Sequence, residues 1–256
     1  MHDVDPLINS LYQAFDLLGV VLNGIIGGTI ARRREFDIVG FVFLALFSGL
    51  AGGMIRDMLI ADGAAAAISD PWYLGLACGG ALVAFLIDLK GKAWELFREH
   101  GDAIILGVWS TTGCVKALTH GMPLIPCVFL GVLTAVGGGM VRDVASGQIP
   151  SIFGGSPLYA VPSILTGIVM VTFAHNGQFA LGMIISPIVG SGMAILSFRE
   201  QLESLGFHIS DDELPDHLCV VLEALAMTEG AEHDRARSAA AGFDHHLTKP
   251  VELGTV

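Results

Sequence analysis

The chain has 256 residues, of which 53% are hydrophobic and 15% charged, and its net charge is −12. Soluble domains are about a quarter charged, and the buried strands of a soluble α/β protein give apolar runs of about 4–8 residues. The apolar runs here are roughly 18 to 24 residues long, enough to cross a hydrocarbon core of about 30 Å as a helix. The composition therefore excludes an ordinary soluble domain and predicts an all-α integral membrane protein.

Seven apolar runs are predicted to be transmembrane helices. In chain order they cover about residues 10–30, 38–60, 72–89, 102–120, 122–145, 157–175 and 179–198. The first run follows an acidic start and contains Asp16, so it is predicted to be a retained helix and not a cleaved signal peptide. The seventh contains Pro187, which predicts a kink.

Lysine and arginine residues predict the orientation of these helices. They cluster between the first and second spans, at Arg32–Arg34, and between the third and fourth spans, at positions 90–98. Because basic loops tend to stay in the cytoplasm, the N-terminus is predicted to lie outside the cell inner (plasma) membrane and the C-terminus in the cytoplasm. The cluster at Arg32–Arg34 could also contact anionic membrane lipid.

The first six spans are two copies of one three-span unit. A constant offset of 86 positions, as between Asp16 and Asp102, superposes the two copies without gaps. The matched charged, proline and tyrosine residues are Asp16 with Asp102, Arg56 with Arg142, Asp57 with Asp143, Pro71 with Pro157, and Tyr73 with Tyr159. Membrane composition alone would not place charges and prolines in one register, so we interpret the pattern as an internal duplication.

An odd number of spans per unit fixes how the two copies are related. The second copy must enter the membrane from the opposite side, which makes the units an inverted repeat with the functional site near a pseudo-two-fold axis. The predicted organisation is an N-terminal segment (1–9), a first three-helix repeat (10–89), a second (90–175), an extra seventh helix (176–198) and an acidic, partly disordered cytoplasmic tail (199–256).

Each unit carries a glycine motif, AGGMIRD at 51–57 and GGGMVRD at 137–143. Adjacent glycines weaken a helix and permit close backbone approach. Gly52, Gly53, Gly137, Gly138 and Gly139 are therefore predicted to break the second and fifth helices near mid-depth. The alternative is that these glycines only allow two helices to cross tightly, as small residues do in many membrane bundles.

An arginine and an aspartate end each motif, at Arg56-Asp57 and Arg142-Asp143. Charged residues within membrane spans usually face a bundle interior or a polar cavity. Because neighbours on a helix point about 100° apart, neither motif is expected to be an ion pair by itself.

Cross-helix partners are expected for the two arginines. By depth, Asp16 is predicted to pair with Arg56, and Asp102 with Arg142. The alternative is that each charge is an interfacial residue whose long side chain reaches water. Lys116 matches Ile30 in the repeat, and a lone lysine near a helix end is expected to be interfacial.

The sequence offers no positive support for an enzyme. No phosphate-binding glycine loop, catalytic triad or metal-ligand cluster stands out, and Gly137–Gly139 do not follow a strand as a dinucleotide-binding loop would. We therefore expect no catalytic residues, no cofactor, no bound metal and no nucleic-acid partner.

The duplicated GGMIRD and GGGMVRD motifs, the Pro-Trp-Tyr start of the third span and the unpaired seventh helix resemble the prokaryotic trimeric intracellular cation (TRIC) channels, the YadS-like proteins. The resemblance covers about residues 10–198. It implies a homotrimer with one pore per protomer and potassium as the permeant ion. It also implies that the motif glycines supply kinks in the pore-bordering second and fifth helices, with Arg56, Asp57, Arg142 and Asp143 beside the conduction path.

The end of the tail has a second resemblance. Glu229–Leu253 is similar to the last portion of a response-regulator receiver domain, with Lys249-Pro250 at its lysine–proline motif. Only about 25 residues match, and the acidic pair and phosphoacceptor strand of a receiver are absent, so no phosphorylation role is expected.

Three functions remain open from the sequence. The first is a passive potassium or monovalent-cation channel. The second is a secondary transporter for a small solute, since inverted repeats with broken helices also describe transporters. The third is a non-conducting membrane scaffold in which the glycines serve trimer packing.

Overall fold

The computed structural model describes residues 6–61, 63–150, 152–153 and 160–204, and these residues contain helices and connections without strands. The helices are α1 (Pro6–Arg33), α2 (Ile38–Ile60), α3 (Ala66–Ser69), α4 (Pro71–Leu86), α5 (Lys92–Thr119), α6 (Leu124–Ala145), α7 (Ala160–His175) and α8 (Phe179–Ser204). The tail beyond residue 204 lies outside the described residues, and so does its resemblance to a receiver domain.

The seven long helices correspond to the seven predicted spans, and α3 is a single extra turn. The bounds of α2 agree with the predicted 38–60, whereas α5 begins at Lys92 and not near residue 102. The turns of α5 before residue 102 contain several charged residues, so a prediction based on apolar runs does not include them. Within the described residues, three helices could cross a membrane by length and composition alone, Tyr12–Arg33, Ile38–Ile60 and Leu124–Ala145, and three further apolar helices are shorter.

Local sequence explains where the first unit's helices start and stop. The Asp37 carboxylate accepts a hydrogen bond of 2.9 Å from the Gly40 N–H at the start of α2. Asp70 caps α4 in the same way through the Trp72 N–H, and Pro71 occupies the first helical position, where no N–H is needed. Ala61, in a left-handed conformation, ends α2.

The long helices form the two predicted three-helix units. Helices α1, α2 and α4 pack against one another, as do α5, α6 and α7, and the units meet through α2 against α6 and α1 against α5. Helix α8 is the unpaired element, and it packs on α7 where Gly182 faces Phe173 and Gly190 faces Thr166. The predicted fold class, two inverted three-helix repeats plus one helix, is confirmed.

The two units meet at a reciprocal glycine contact between α2 and α6. A Cβ atom at Gly52 would lie 2.5 Å from the carbonyl oxygen of Thr134, and a Cβ atom at Gly138 would lie 2.3 Å from that of Ser48. Gly52 matches Gly138 in the repeat and Ser48 matches Thr134, so each helix makes the same contact to the other. Residue 48 meets 138 while 52 meets 134, so the helices cross antiparallel on the pseudo-two-fold axis.

This crossing corrects the prediction for the glycine motifs. Helix α2 runs uninterrupted from Ile38 to Ile60, and α6 from Leu124 to Ala145, so the glycines do not break either helix. Gly52, Gly137 and Gly138 instead remove side chains at the crossing, where a Cβ atom on Gly137 would lie 3.1 Å from the Gly52 Cα. The alternative interpretation, tight helix crossing, describes these three residues.

Candidate functional site

Two polar cavities flank the glycine crossing. The α2 cavity has a volume of about 30 Å³ and is lined by residues that include Asp16, Arg56, Asp57 and Tyr73. The α6 cavity has a volume of about 250 Å³, and its lining includes Arg33, Arg98, Asp102 and Arg142. Because α2 and α6 run antiparallel, their motif arginines lie on opposite sides of the crossing.

The internal repeat relates the linings of the two cavities. Seven positions of the α2 cavity have their repeat partner in the α6 cavity: Asp16 and Asp102, Gly49 and Ala135, Leu50 and Val136, Gly53 and Gly139, Arg56 and Arg142, Ala66 and Ile152, and Trp109 and Asn23. Each cavity is therefore the same part of its unit, and the pair has the inverted symmetry predicted for a functional site.

The first motif forms a charged cluster at the α2 cavity. Arg56 Nε donates to Asp57 Oδ1 at 2.7 Å, and both side chains are buried. Lys116 Nζ on α5 donates to the same oxygen at 2.8 Å, and the Ala66 N–H donates to Asp57 Oδ2 at 3.0 Å. One buried carboxylate thus accepts hydrogen bonds from two cations and a backbone amide, so both of its oxygens are satisfied.

The contact between Arg56 and Asp57 contradicts the expectation that adjacent charges on a helix do not pair. The long, flexible arginine stem lets the guanidinium fold back across the angle between the two Cα–Cβ bonds. The second motif does the same, because Arg142 Nη2 lies 2.7 Å from Asp143 Oδ1. Each motif is therefore an ion pair within one turn of helix.

The cross-helix pair predicted between Asp16 and Arg56 is replaced by other partners. Asp16 accepts a hydrogen bond from the Tyr73 hydroxyl of α4, and Arg56 pairs with Asp57. Asp16 and Arg56 nevertheless line the same cavity, as their predicted depths require. The carboxyl group of Asp16 therefore lines the cavity without serving as the partner of Arg56.

The second motif reaches across the glycine crossing. Arg142 Nη1 lies 3.4 Å from the Ser48 hydroxyl of α2, which links the two repeat units. Asp102 lines the α6 cavity together with Arg142, and a direct ion pair between them stays a prediction. Gly53 and Gly139 also line the cavities, and each lies beside the guanidinium of its own motif.

Lys116 is the site residue that sequence reasoning missed. It was expected to be interfacial, yet its ammonium group binds the buried Asp57 carboxylate. The available signal was the break in the repeat, since Lys116 matches an isoleucine at position 30. Among the described residues, no group of histidine, cysteine or acidic side chains could hold a metal ion.

A family model described as "Glycine transporter" matches the chain twice, over residues 13–88 and 100–175. These two ranges are the two repeat units, so the duplication predicted from the motif register is confirmed. Together they cover more than half of the chain. The two matches leave α8 outside, in keeping with its place as the unpaired helix.

Similar proteins include membrane proteins of several bacteria. The UPF0126 inner membrane protein YadS of Escherichia coli (strain K12) is 31% identical, over 68% of this chain and 87% of that protein. The UPF0126 membrane protein YvgT of Bacillus subtilis (strain 168) is 26% identical, over 78% of this chain and 99% of that protein.

The fold is also similar to that of solved structures. The TRIC trimeric intracellular cation channel orthologue from Rhodobacter sphaeroides superposes with a TM-score of 0.67 at 25% identity, over 76% of this chain and 99% of that one. The resemblance drawn from the duplicated motifs is thereby confirmed, and none of these relatives is named as an enzyme. The chain belongs to the glycine-transporter family, together with the YadS-like membrane proteins, and it has the fold of the prokaryotic TRIC channels.

Proposed function

We propose that this chain is a monovalent-cation channel with one pore per protomer, running through the α2 and α6 cavities past the glycine crossing. The observation that carries the proposal is the repeat relation of the two cavities, which lie on opposite sides of one crossing and share seven repeat-related lining positions. A pathway must offer polar surface to an ion from both faces of the membrane, and two polar cavities on opposite sides of the crossing support this requirement.

The paired motif arginines make the charges at the α2 end of the path compatible with cations. A fixed positive charge repels cations unless it is paired, and each motif arginine binds the aspartate that follows it. At the α2 cavity, Asp16 adds a carboxylate that Tyr73, a neutral residue, holds in place. The carboxyl groups of Asp16 and Asp57 line the cavity beside Arg56, and Lys116, which also binds Asp57, brings the local charges into balance.

Potassium selectivity, trimeric assembly and orientation belong to the same proposal. The Rhodobacter protein is named as a trimeric cation channel, and YadS as an inner membrane protein. We propose a potassium-permeable homotrimer in the inner membrane, with the N-terminus outside because Arg32–Arg34 follow α1. On this orientation the α2 cavity faces outward and the α6 cavity faces the cytoplasm.

Single-channel recording of the purified protein in planar bilayers tests the proposal. With a potassium chloride gradient, we expect resolvable openings whose reversal potential lies near the potassium equilibrium value. A reversal potential at the chloride value would overturn cation selectivity. The absence of both current and solute flux would leave only the scaffold function.

A second candidate is a secondary transporter, favoured by the description of the family model as a glycine transporter. A transporter would give saturable, ion-coupled uptake of labelled glycine into proteoliposomes without single-channel events. A channel would give openings and no saturable glycine uptake. The two assays on one preparation therefore separate the candidates.

A further inference from the structure

Among the repeat positions that line both cavities, one pair differs most in side-chain size. Trp109 of α5 lines the α2 cavity, and Asn23 of α1, its partner 86 positions earlier, lines the α6 cavity. Each residue therefore reaches from the first helix of one unit into the cavity formed by the motif helix of the other. An indole stands where the second cavity has a small carboxamide.

The smaller cavity is the one that contains the indole. The α2 cavity measures about 30 Å³ against about 250 Å³ for the α6 cavity. A water molecule needs about 10–15 Å³ by this measure, so the α2 cavity has room for about two waters. A hydrated ion cannot pass through a space of that size without shedding water or moving a side chain.

The packing around Trp109 holds the indole in this position. The side chain is 5% exposed and packs with Val20 and Leu50 in the core of the first unit. A Cβ atom at Gly19 would lie 2.9 Å from the indole Cζ2, so the ring lies directly on the α1 backbone. The indole Nε1 makes no hydrogen bond of ideal geometry in the described part of the chain, and the Asp16 carboxyl group, which lines the same cavity, is the nearby acceptor for this donor.

We propose that Trp109 is the constriction of the α2 half of the pathway and limits the size of what passes. Its repeat partner Asn23 leaves the α6 half open. The narrowness of the cavity follows from the packing alone, whereas the consequence for transport rests on the function proposed above. The tests below therefore measure the two separately.

Cysteine accessibility tests the constriction without requiring ion conduction. Leu50 lines the α2 cavity and its repeat partner Val136 lines the α6 cavity, so Leu50→Cys and Val136→Cys report on the two halves in a background without native cysteines. Adding Trp109→Asn should raise the rate at which a small, charged thiol reagent modifies Leu50→Cys severalfold and leave Val136→Cys unchanged. An unchanged rate at Leu50→Cys in a folded protein overturns the proposal.

Ion flux in proteoliposomes gives the second test. We expect Trp109→Asn to raise potassium flux and Asn23→Trp to lower it, whereas Trp109→Phe, which keeps a ring but loses the N–H, should resemble the unchanged protein. Trp72, an exposed residue at the start of α4, supplies the control Trp72→Asn, for which no change is expected. Faster labelling without any ion flux supports the constriction and contradicts the channel, so the two proposals fail separately.

If Trp109→Asn does not give a monodisperse protein, Trp109→Leu replaces it as the smaller apolar variant. It too should speed the labelling of Leu50→Cys. The proposal would be contradicted if Leu50→Cys were labelled at the same rate with tryptophan, phenylalanine or leucine at position 109.

Discussion

Lys116 on α5 binds Asp57 on α2 with a distance of 2.8 Å between Nζ and Oδ1, and this contact joins the two repeat units. It has no counterpart by symmetry, because the partner of Lys116 is Ile30. The same carboxylate holds Arg56 and the Ala66 N–H. The charged cluster at the α2 motif therefore contains one cation, Lys116, that has no repeat equivalent at the α6 motif.

Neutralising Asp57 should destabilise the protein strongly. Asp57→Asn leaves the buried Arg56 and the half-buried Lys116 without their carboxylate, and breaking a buried ion pair costs about 3–5 kcal/mol. The measurement is the midpoint of thermal unfolding in detergent, followed by size-exclusion chromatography. Asp88→Asn is the control, because its ion pair with Lys90 is exposed and should contribute about 0–1 kcal/mol. Equal midpoints for the two variants would contradict the role of Asp57.

Alanine at either reciprocal glycine should push α2 and α6 apart. A methyl group at Gly52 or Gly138 would lie within 2.5 Å of a backbone carbonyl oxygen, which neither helix can move aside cheaply. Overpacking of this kind costs about 1–3 kcal/mol or more, so the midpoint of thermal unfolding should fall for both variants. Gly79→Ala in α4 is the matched control, because nothing lies within 4 Å of a methyl group there. A midpoint as high as that of the control would show that the crossing is not tight.

The Tyr12 hydroxyl should contribute more to stability when Pro187 is present than when alanine replaces it. Pro187 lies inside α8 and has no N–H, so the Met183 carbonyl four residues earlier lacks its helical donor, and Tyr12 of α1 donates to it instead. Tyr12→Phe should cost about 0.5–1.5 kcal/mol, and clearly less in a Pro187→Ala background. A double-mutant cycle of unfolding midpoints measures the coupling. Independent effects of the two changes would refute this account of α8.

Removing the Asp16 carboxylate should weaken cation selectivity. Asp16 lines the α2 cavity and its charge is not used by Arg56, which pairs with Asp57. Asp16→Asn keeps an acceptor for the Tyr73 hydroxyl and deletes only the charge, so the reversal potential should shift toward the chloride value. Exposed Asp88→Asn again serves as the control. An unchanged reversal potential in Asp16→Asn would contradict a role of Asp16 beside the permeating ions.

Much of this architecture could be predicted from the register of the repeat. The matched charges and prolines were enough to predict two inverted units, and the equivalence of Gly52 with Gly138 predicted a functional region near the axis. The glycine motif itself was ambiguous, because the same small residues permit either a broken helix or a close crossing. Only the position of the neighbouring helix decides between them.

Side-chain reach was harder to predict than helix position. The angle of about 100° between adjacent helical residues argued against pairs such as Arg56 with Asp57. The flexible arginine side chain nevertheless brings its guanidinium group to the neighbouring buried carboxylate. The sequence placed Lys116 near a helix end without indicating that α2 would present Asp57 to it. Partners on different helices depend on rotation about each helix axis, which hydropathy does not report.

The reciprocal contact of Gly52 with Thr134 and of Gly138 with Ser48 is the geometry of a two-fold homodimer interface, in which one surface meets a copy of itself. The described crossing needs no connection between the units, so a single three-helix chain inserted in both orientations would bring the same glycines together. A substitution at Gly52 or Gly138 therefore changes the packing of both repeat units. A larger residue accepted in one half would have to be accommodated by the carbonyl groups of the other.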